Sequence, residues 1–320
     1  MVSVNAGTED PMDCFVLGSG GMMPMPGRRL ASVALRAGGQ VYLFDCGEGT
    51  QVPYKELHVG LRALRVVAVT HLHADHCLGL PGMLMLRAQM PAPEPLTLVG
   101  PPGLRRFVDH VRADLAMYIN YEVLIKEWDG GPEAYRDELV RLLWQPVDHT
   151  TFCLGYRLEE HPRPGRFDPE QAIRLGVPRG PLWGQLQRGD AVEVAGVSVS
   201  PDQVVGPPRR GRHVAFVTDT TECPALPSLL REVDIAFVES MFLEEHAQEA
   251  REKKHMTAAQ AARIARDAGA ARLVLVHVSP RYEESELRRF TNEASEVHRA
   301  ARVARDGERI TVPLPDGPDA

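Results

Sequence analysis

The chain has 320 residues, 44% hydrophobic and 25% charged, with a formal net charge of −7. That length can bury a large core in one large or two ordinary domains, and the composition is that of a soluble globular protein. No apolar run reaches the roughly 18 residues of a membrane span, and the acidic balance argues against a general nucleic-acid binder unless bound cations reverse the local sign.

Residues 1–12 are polar and read as a disordered extension. They lack the basic and apolar segments of a secretory signal, so the expected location is cytoplasmic. Short apolar runs then predict buried strands at Cys14–Leu17, Gln40–Phe44, Val66–Thr70, Leu96–Val99, His213–Val217, Ile235–Val238 and Leu273–Val276. Amphipathic spacing predicts helices over Pro102–Asp114, Ala258–Ala268 and Glu284–Arg305. Strands alternating with helices give an α/β fold. Most of the strands run into a polar residue: Asp45, His71, Asp219, Glu239 and His277. In α/β layers such residues converge at the carboxyl edge of a sheet. The five cysteines are odd in number, dispersed and without a CxxC, which fits a reducing compartment.

The window 157–212 differs in composition. It is rich in Pro, Gly and Arg, with nine Arg and seven Asp+Glu, and holds a short predicted helix at Pro169–Leu175. It reads as an excursion from the core or as a long surface loop.

The densest chemistry is in "VAVTHLHADHCLGL", which places His71, His73, Asp75 and His76 within six residues after a buried run. Leaving four such groups buried and unliganded would cost too much desolvation. Imidazole and carboxylate suit zinc, with manganese or iron as alternatives. Four ligands this close in sequence cannot all reach one tetrahedral ion without strain, so the spacing favours two ions. His149, Asp219 and His277 are the further candidates, and Asp219 could bridge.

These segments also carry a resemblance. "FVLGSGGMMPMPGR", "YLFDCGEGTQ", "THLHADHCLGLPGML", "DHTTFCLGYRLEE", "VTDT", "VESMF", "HMTAAQAARIA" and "LVLVHVSPRY" follow in the order of the metallo-β-lactamase fold and, within it, of ribonuclease Z, from Asp13 to about Pro313. The resemblance implies an αββα four-layer sandwich as a single domain over 13–320, with a flexible arm inserted at about 157–190. It implies two zinc ions per subunit, one held by His71, His73 and His149, the other by Asp75, His76 and His277, with Asp219 between them. Asp75 would orient or deprotonate the attacking water, and His255, supported by Glu239, would protonate the leaving oxygen. Ser279 and Arg281 would contact phosphate, or Arg281 would tie down its loop. Arg163, Arg166, Arg174 and Arg179 of the arm would contact the RNA. The implied substrate is precursor tRNA, cut to release the 3′ trailer, and the implied assembly is a homodimer.

The chain departs from that pattern in three places. The arm has no lysine and carries Glu159, Glu160, Asp168 and Glu170; Thr218 precedes Asp219 where glycine is usual; and Arg29 stands where asparagine is frequent. The alternative enzyme reading is a phosphodiesterase acting on a small molecule such as a cyclic nucleotide, which would not need an arm. A silent RNA-binding module is disfavoured, since every expected ligand position is filled.

Overall fold

The structure is a computed structural model and describes residues 11–315. Of the amino-terminal extension expected over 1–12, residues 1–10 lie outside the described residues, and Met12 already opens a strand, fully buried.

Sixteen strands occur among the described residues: β1 (Met12–Gly18), β2 (Ser32–Ala37), β3 (Gln40–Phe44), β4 (Leu64–Ala68), β5 (Leu96–Gly100), β6 (Val123–Glu127), β7 (Glu133–Arg136), β8 (Val140–Val147), β9 (Cys153–Glu160), β10 (Val192–Val194), β11 (Val197–Val199), β12 (His213–Val217), β13 (Ile235–Glu239), β14 (Leu273–Val276), β15 (Ala301–Val303) and β16 (Arg309–Val312). Two seven-stranded sheets form, in the orders β16-β1-β2-β3-β4-β5-β6 and β15-β14-β13-β12-β9-β8-β7. Each is mixed: β3 to β6 run parallel in the first and β12 to β15 in the second.

The period-two alternation of each strand sorts its side chains into layers. From β3, Tyr42 and Phe44 enter the core between the sheets, while Val41 and Leu43 face helices. From β13, Ile235 and Phe237 enter that same core, while Ala236 and Val238 face the helices of the other side. Both faces are therefore covered, which is why the runs are apolar throughout. Phe44 and Phe216 stack across the gap with centroids 5.4 Å apart. Helices Leu80–Ala88 and Leu104–Asp114 cover the first sheet. Leu226–Leu230, Ala258–Asp267 and Leu287–Val297 cover the second. The result is a helix–sheet–sheet–helix sandwich, and each fully buried large side chain in it contributes roughly 1.5–3 kcal/mol.

One expected helix is shorter than its periodicity suggested. Glu284–Arg305 is helical only as far as Val297, and Ala301–Val303 instead pairs parallel with β14. The buried His298 turns the chain at that point, with Nε2 2.8 Å from the Ala270 carbonyl. Three residues of alternation are too few to outvote the preceding helical pattern.

Residues Glu160–Gly211 form a compact unit separate from Pro11–Glu159 and Arg212–Pro313. The unit has its own small core of Ala172, Val177, Leu186, Val192, Val199 and Val204. Helices Pro169–Arg174 and Pro181–Gln187 and the β10–β11 hairpin surround it. Its two ends run antiparallel, with bridges at Arg163–Arg209 and Phe167–Val205. Gly165 lets them close: a Cβ there would sit 1.8 Å from the Gly206 carbonyl oxygen.

Candidate metal centre

Seven side chains meet at one edge of the two facing sheets, each delivered by the residues just past a strand. β4 leads to His71, His73, Asp75 and His76; β8 to His149; β12 to Asp219; β14 to His277. Asp219 and His277 take left-handed backbone angles, φ 48° and 60°. Such angles are strained for residues with a Cβ and concentrate at functional sites. They turn the chain sharply enough to aim each side chain back over the sheet edge.

The ligand atoms divide into two groups that share Asp219. Its Oδ2 lies 3.7 Å from His71 Nε2 and 3.6 Å from His149 Nε2, and His149 Nε2 lies 3.4 Å from His73 Nδ1. Its Oδ1 lies 3.3 Å from His76 Nε2 and 3.1 Å from His277 Nε2. Asp75 Oδ2 completes the second group, 3.5 Å from His76 Nε2 and 3.4 Å from His277 Nε2. A tetrahedron with metal–ligand bonds of about 2.0–2.1 Å has edges of about 3.3–3.4 Å, so these separations fit ligands around two divalent ions. Two orphaned atoms point the same way: His71 Nε2 and Asp219 Oδ1 are buried with no aligned hydrogen-bond partner. Left so, they would be costly.

The electrostatics describe a site that needs cations. Burial and the neighbouring His76 push His71 well below its ordinary value, which leaves an imidazole with a free lone pair. Burial opposes a charge on His76, but Asp219 and Asp45 outweigh it and hold the ring well above its ordinary value. Asp219 is fully buried, yet the surrounding imidazoles keep it ionised. Bound metal would replace the proton on His76 and the missing partners of the rest.

Outer contacts fix the ligands. Asp45, itself buried at φ 55°, accepts from Thr70 N (2.7 Å) and Thr70 Oγ1 (2.9 Å), and its Oδ2 lies 2.7 Å from His76 Nδ1. Thr70 Oγ1 lies 3.0 Å from His71 Nδ1, and the Lys254 carbonyl 3.2 Å from His149 Nδ1. The Met22 backbone N–H donates to Asp75 Oδ2 at 2.7 Å. Such partners orient metal ligands and set their tautomers. The role of Asp45 was half-legible, as a polar strand end in "YLFDCGEG"; nothing in the sequence pointed to Met22 or Lys254, which act through the backbone.

His255 stands beside the cluster, its ring 5.1 Å from His149 and 5.6 Å from His277. Its Nδ1 lies 2.9 Å from Glu239 Oε1, and Glu239 is fixed by Thr220 N at 2.7 Å and Met256 N at 3.2 Å. Burial lowers the imidazole's affinity for a proton, but Glu239 outweighs it and the ring is raised to about 9. Glu239 thus favours the protonated form of the ring. A cleft of about 530 Å³ opens over the cluster, with Met22, Thr150, Met241 and Lys253 on its walls.

The remaining candidates are placed differently. Ser279 follows His277 but is buried, and its Oγ accepts from Arg281 N at 3.3 Å. Arg281 is engaged in two hydrogen bonds of 2.7 Å with Glu249, the tethering arrangement. Arg163, Arg166, Arg174 and Arg179 all belong to the separate 160–211 unit. There Arg174 Nε bonds Gln171 Oε1 at 2.9 Å, and Arg179 lies over the Trp183 ring at 5.8 Å.

Residues 183–278 match the family model described as a beta-lactamase superfamily domain, and residues 12–110 that described as anti-Pycsar protein Apyc1. Over 304 residues, 95% of this chain and 97% of its own length, a ribonuclease Z of Treponema pallidum is 46% identical. One from Salinibacter ruber is 39% identical over 96% of this chain and 98% of its own. The crystal structure of the short form of human tRNase Z superposes with a TM-score of 0.69 at 22% identity, covering 94% of this chain and all of that one.

Proposed function

The chain belongs to the ribonuclease Z family, and from that premise we propose that it removes the 3′ trailer from tRNA precursors using two zinc ions at the strand-end cluster. The observation that carries this reading is the spacing of eight ligand atoms from seven residues, with one oxygen of Asp219 turned to each group. His71, His73 and His149 would hold one ion, Asp75, His76 and His277 the other. Bound there, the ions would activate a water and offset negative charge on the phosphoryl oxygens.

The chain's own groups do the rest. Asp75, fixed by Met22 N–H, keeps one carboxylate oxygen aimed at the cluster and orients the water. His255 donates its proton to the departing 3′ oxygen, a poor leaving group without one. Glu239 favours that proton on the imidazole and fixes the ring by Nδ1, leaving Nε2 for the substrate. The products are a tRNA ending in a 3′-hydroxyl and a trailer beginning with a 5′-phosphate. The arm arginines would supply sequence-independent phosphate contacts, and the enzyme would work as a homodimer. Among the described residues no helix is long and apolar enough to cross a membrane.

One further reading is hydrolysis of a small phosphodiester by the same cluster, which its open cleft of about 530 Å³ would admit without any arm. Cleavage of a 3′-extended tRNA precursor by zinc-loaded protein, with the cut mapped to the nucleotide, separates the two. A cut directly after the discriminator base supports trailer removal. An intact precursor beside a hydrolysed small diester would overturn it.

A further inference from the structure

Arg28 is a buried guanidinium that makes no ion pair among the described residues, although the charges of Glu284 and Asp306 act on it from further off. It is 4% exposed, and its Nε and Nη1 have no hydrogen-bond partner among the described residues. Burying a charge this way is expensive and calls for a compensating role. The one nitrogen that is bonded spans two carbonyls: Nη2 donates to Ser279 O at 3.1 Å and to Tyr282 O at 2.8 Å. Those carbonyls bracket the turn that directly follows the ligand His277.

The arginine comes from a tight hairpin whose Met25 and Arg28 exchange backbone hydrogen bonds of 2.9 Å. Its stem lies flat on Gly20, where a Cβ would sit 3.1 Å from Arg28 Cγ. The neighbouring Gly21 covers His277: a Cβ there would be 2.5 Å from the imidazole ring. Gly21 N and Ser19 O pair with Val278, next to the same ligand, at 3.1 Å each. Met22, one residue on, donates its N–H to Asp75. Two ligands of the second metal group thus lean on the segment Ser19–Met22, and Arg28 clamps that segment to the turn beyond His277.

We propose that Arg28 is a positioning residue for the Asp75–His76–His277 half of the centre. It holds the glycine-rich segment and the Ser279–Tyr282 turn in one register, so that Gly21 seats the His277 ring and Met22 N–H aims Asp75. The inference rests on the two-metal reading of the cluster. Lysine keeps the charge but is one atom shorter than Nη2, so its ammonium falls short of the two carbonyls while the stem lies on Gly20; Arg28→Lys is the sharpest variant. Gly20→Ala, whose Cβ would crowd the Arg28 stem at 3.1 Å from Cγ without deleting the guanidinium, is the second.

The test is a chelator competition measuring zinc affinity, with the visible absorption of the cobalt-substituted protein and the thermal midpoint read alongside. For both variants the weaker-bound ion should dissociate about 10–100-fold more readily, the cobalt bands of one of the two ions should change, and the precursor's kcat should fall more than its KM changes. Wild-type zinc affinity and wild-type cobalt bands in both variants, whatever the thermal midpoint does, would overturn the proposal. A wild-type protein that binds no metal would instead overturn the reading beneath it.

Discussion

The sandwich and the 160–211 unit use polar residues in opposite ways. In the sandwich most of the functional polar groups are buried and held from several sides: Asp45, His71, His76 and Glu239 are wholly inaccessible to solvent, while His73 and Asp75 face the cleft more openly. In the arm the polar groups are largely on the surface, around a core of six small and medium aliphatic side chains. The first arrangement costs desolvation and fixes geometry, as bond-making chemistry requires. The second costs little and fixes little, which suits sequence-independent contact with a long polyanion. We propose on this contrast that chemistry belongs to the sandwich and contact with the RNA backbone to the 160–211 unit.

The comparison can be broken from either side. The largest effect should come from Asp75→Ala, taking hydrolysis of precursor and small diester alike to background while RNA binding, read by gel shift, survives. His255→Ala should lower kcat on the precursor by about 10²–10⁴-fold, with zinc content unchanged. The pH profile gives its sign: the acid form persists below the raised value of about 9 and is lost as pH rises through it. The rate should therefore fall on the alkaline side, at or somewhat below that value, because cations bound beside the ring repel its proton. Glu239→Gln should move the limb toward the ordinary 6.5. Asp45→Ala, which unties His76 without touching the cleft, should weaken zinc about 10–100-fold.

Replacing residues 164–207 with a short linker, across the Gly165–Gly206 approach, should raise the precursor's KM about tenfold or more and flatten its salt dependence. The small diester should not notice. Equal loss on both substrates would end the division of labour. The smallest effect is structural. Asp13 joins β1 to β16; burial raises its carboxyl, but Arg309, Thr311 and Arg36 outweigh that and hold it below the ordinary 3.8. Arg309→Ala should lower the thermal midpoint slightly above that pH, a difference that shrinks as pH falls below it.

The same contrast decides what could be read from the sequence. The strand-end residues were legible because a buried apolar run marks the strand and the next polar residue must sit at its edge. That logic located Asp45, His71, Asp219, Glu239 and His277. Strands such as β2 and β9 were not legible, since Arg36, Arg157 and Glu159 interrupt their apolar pattern. Arg157 and Glu159 are buried as a pair, 2.6 Å apart, a fact no local pattern announces. Supports made through backbone atoms, at Met22 and Lys254, carry no side-chain signature at all. Arg281 was ambiguous by type, and only the facing Glu249, far off in sequence, shows how it is engaged.

The most direct test of the central claim is the number of zinc ions bound per chain, counted on the purified protein after metal loading and on Asp219→Ala prepared in parallel. With one Asp219 oxygen turned to each ligand group, the account predicts two ions for the wild-type chain and a loss of tight binding at both positions in the variant. A wild-type chain that takes up one ion or none, or a variant that still holds two tightly, would contradict it.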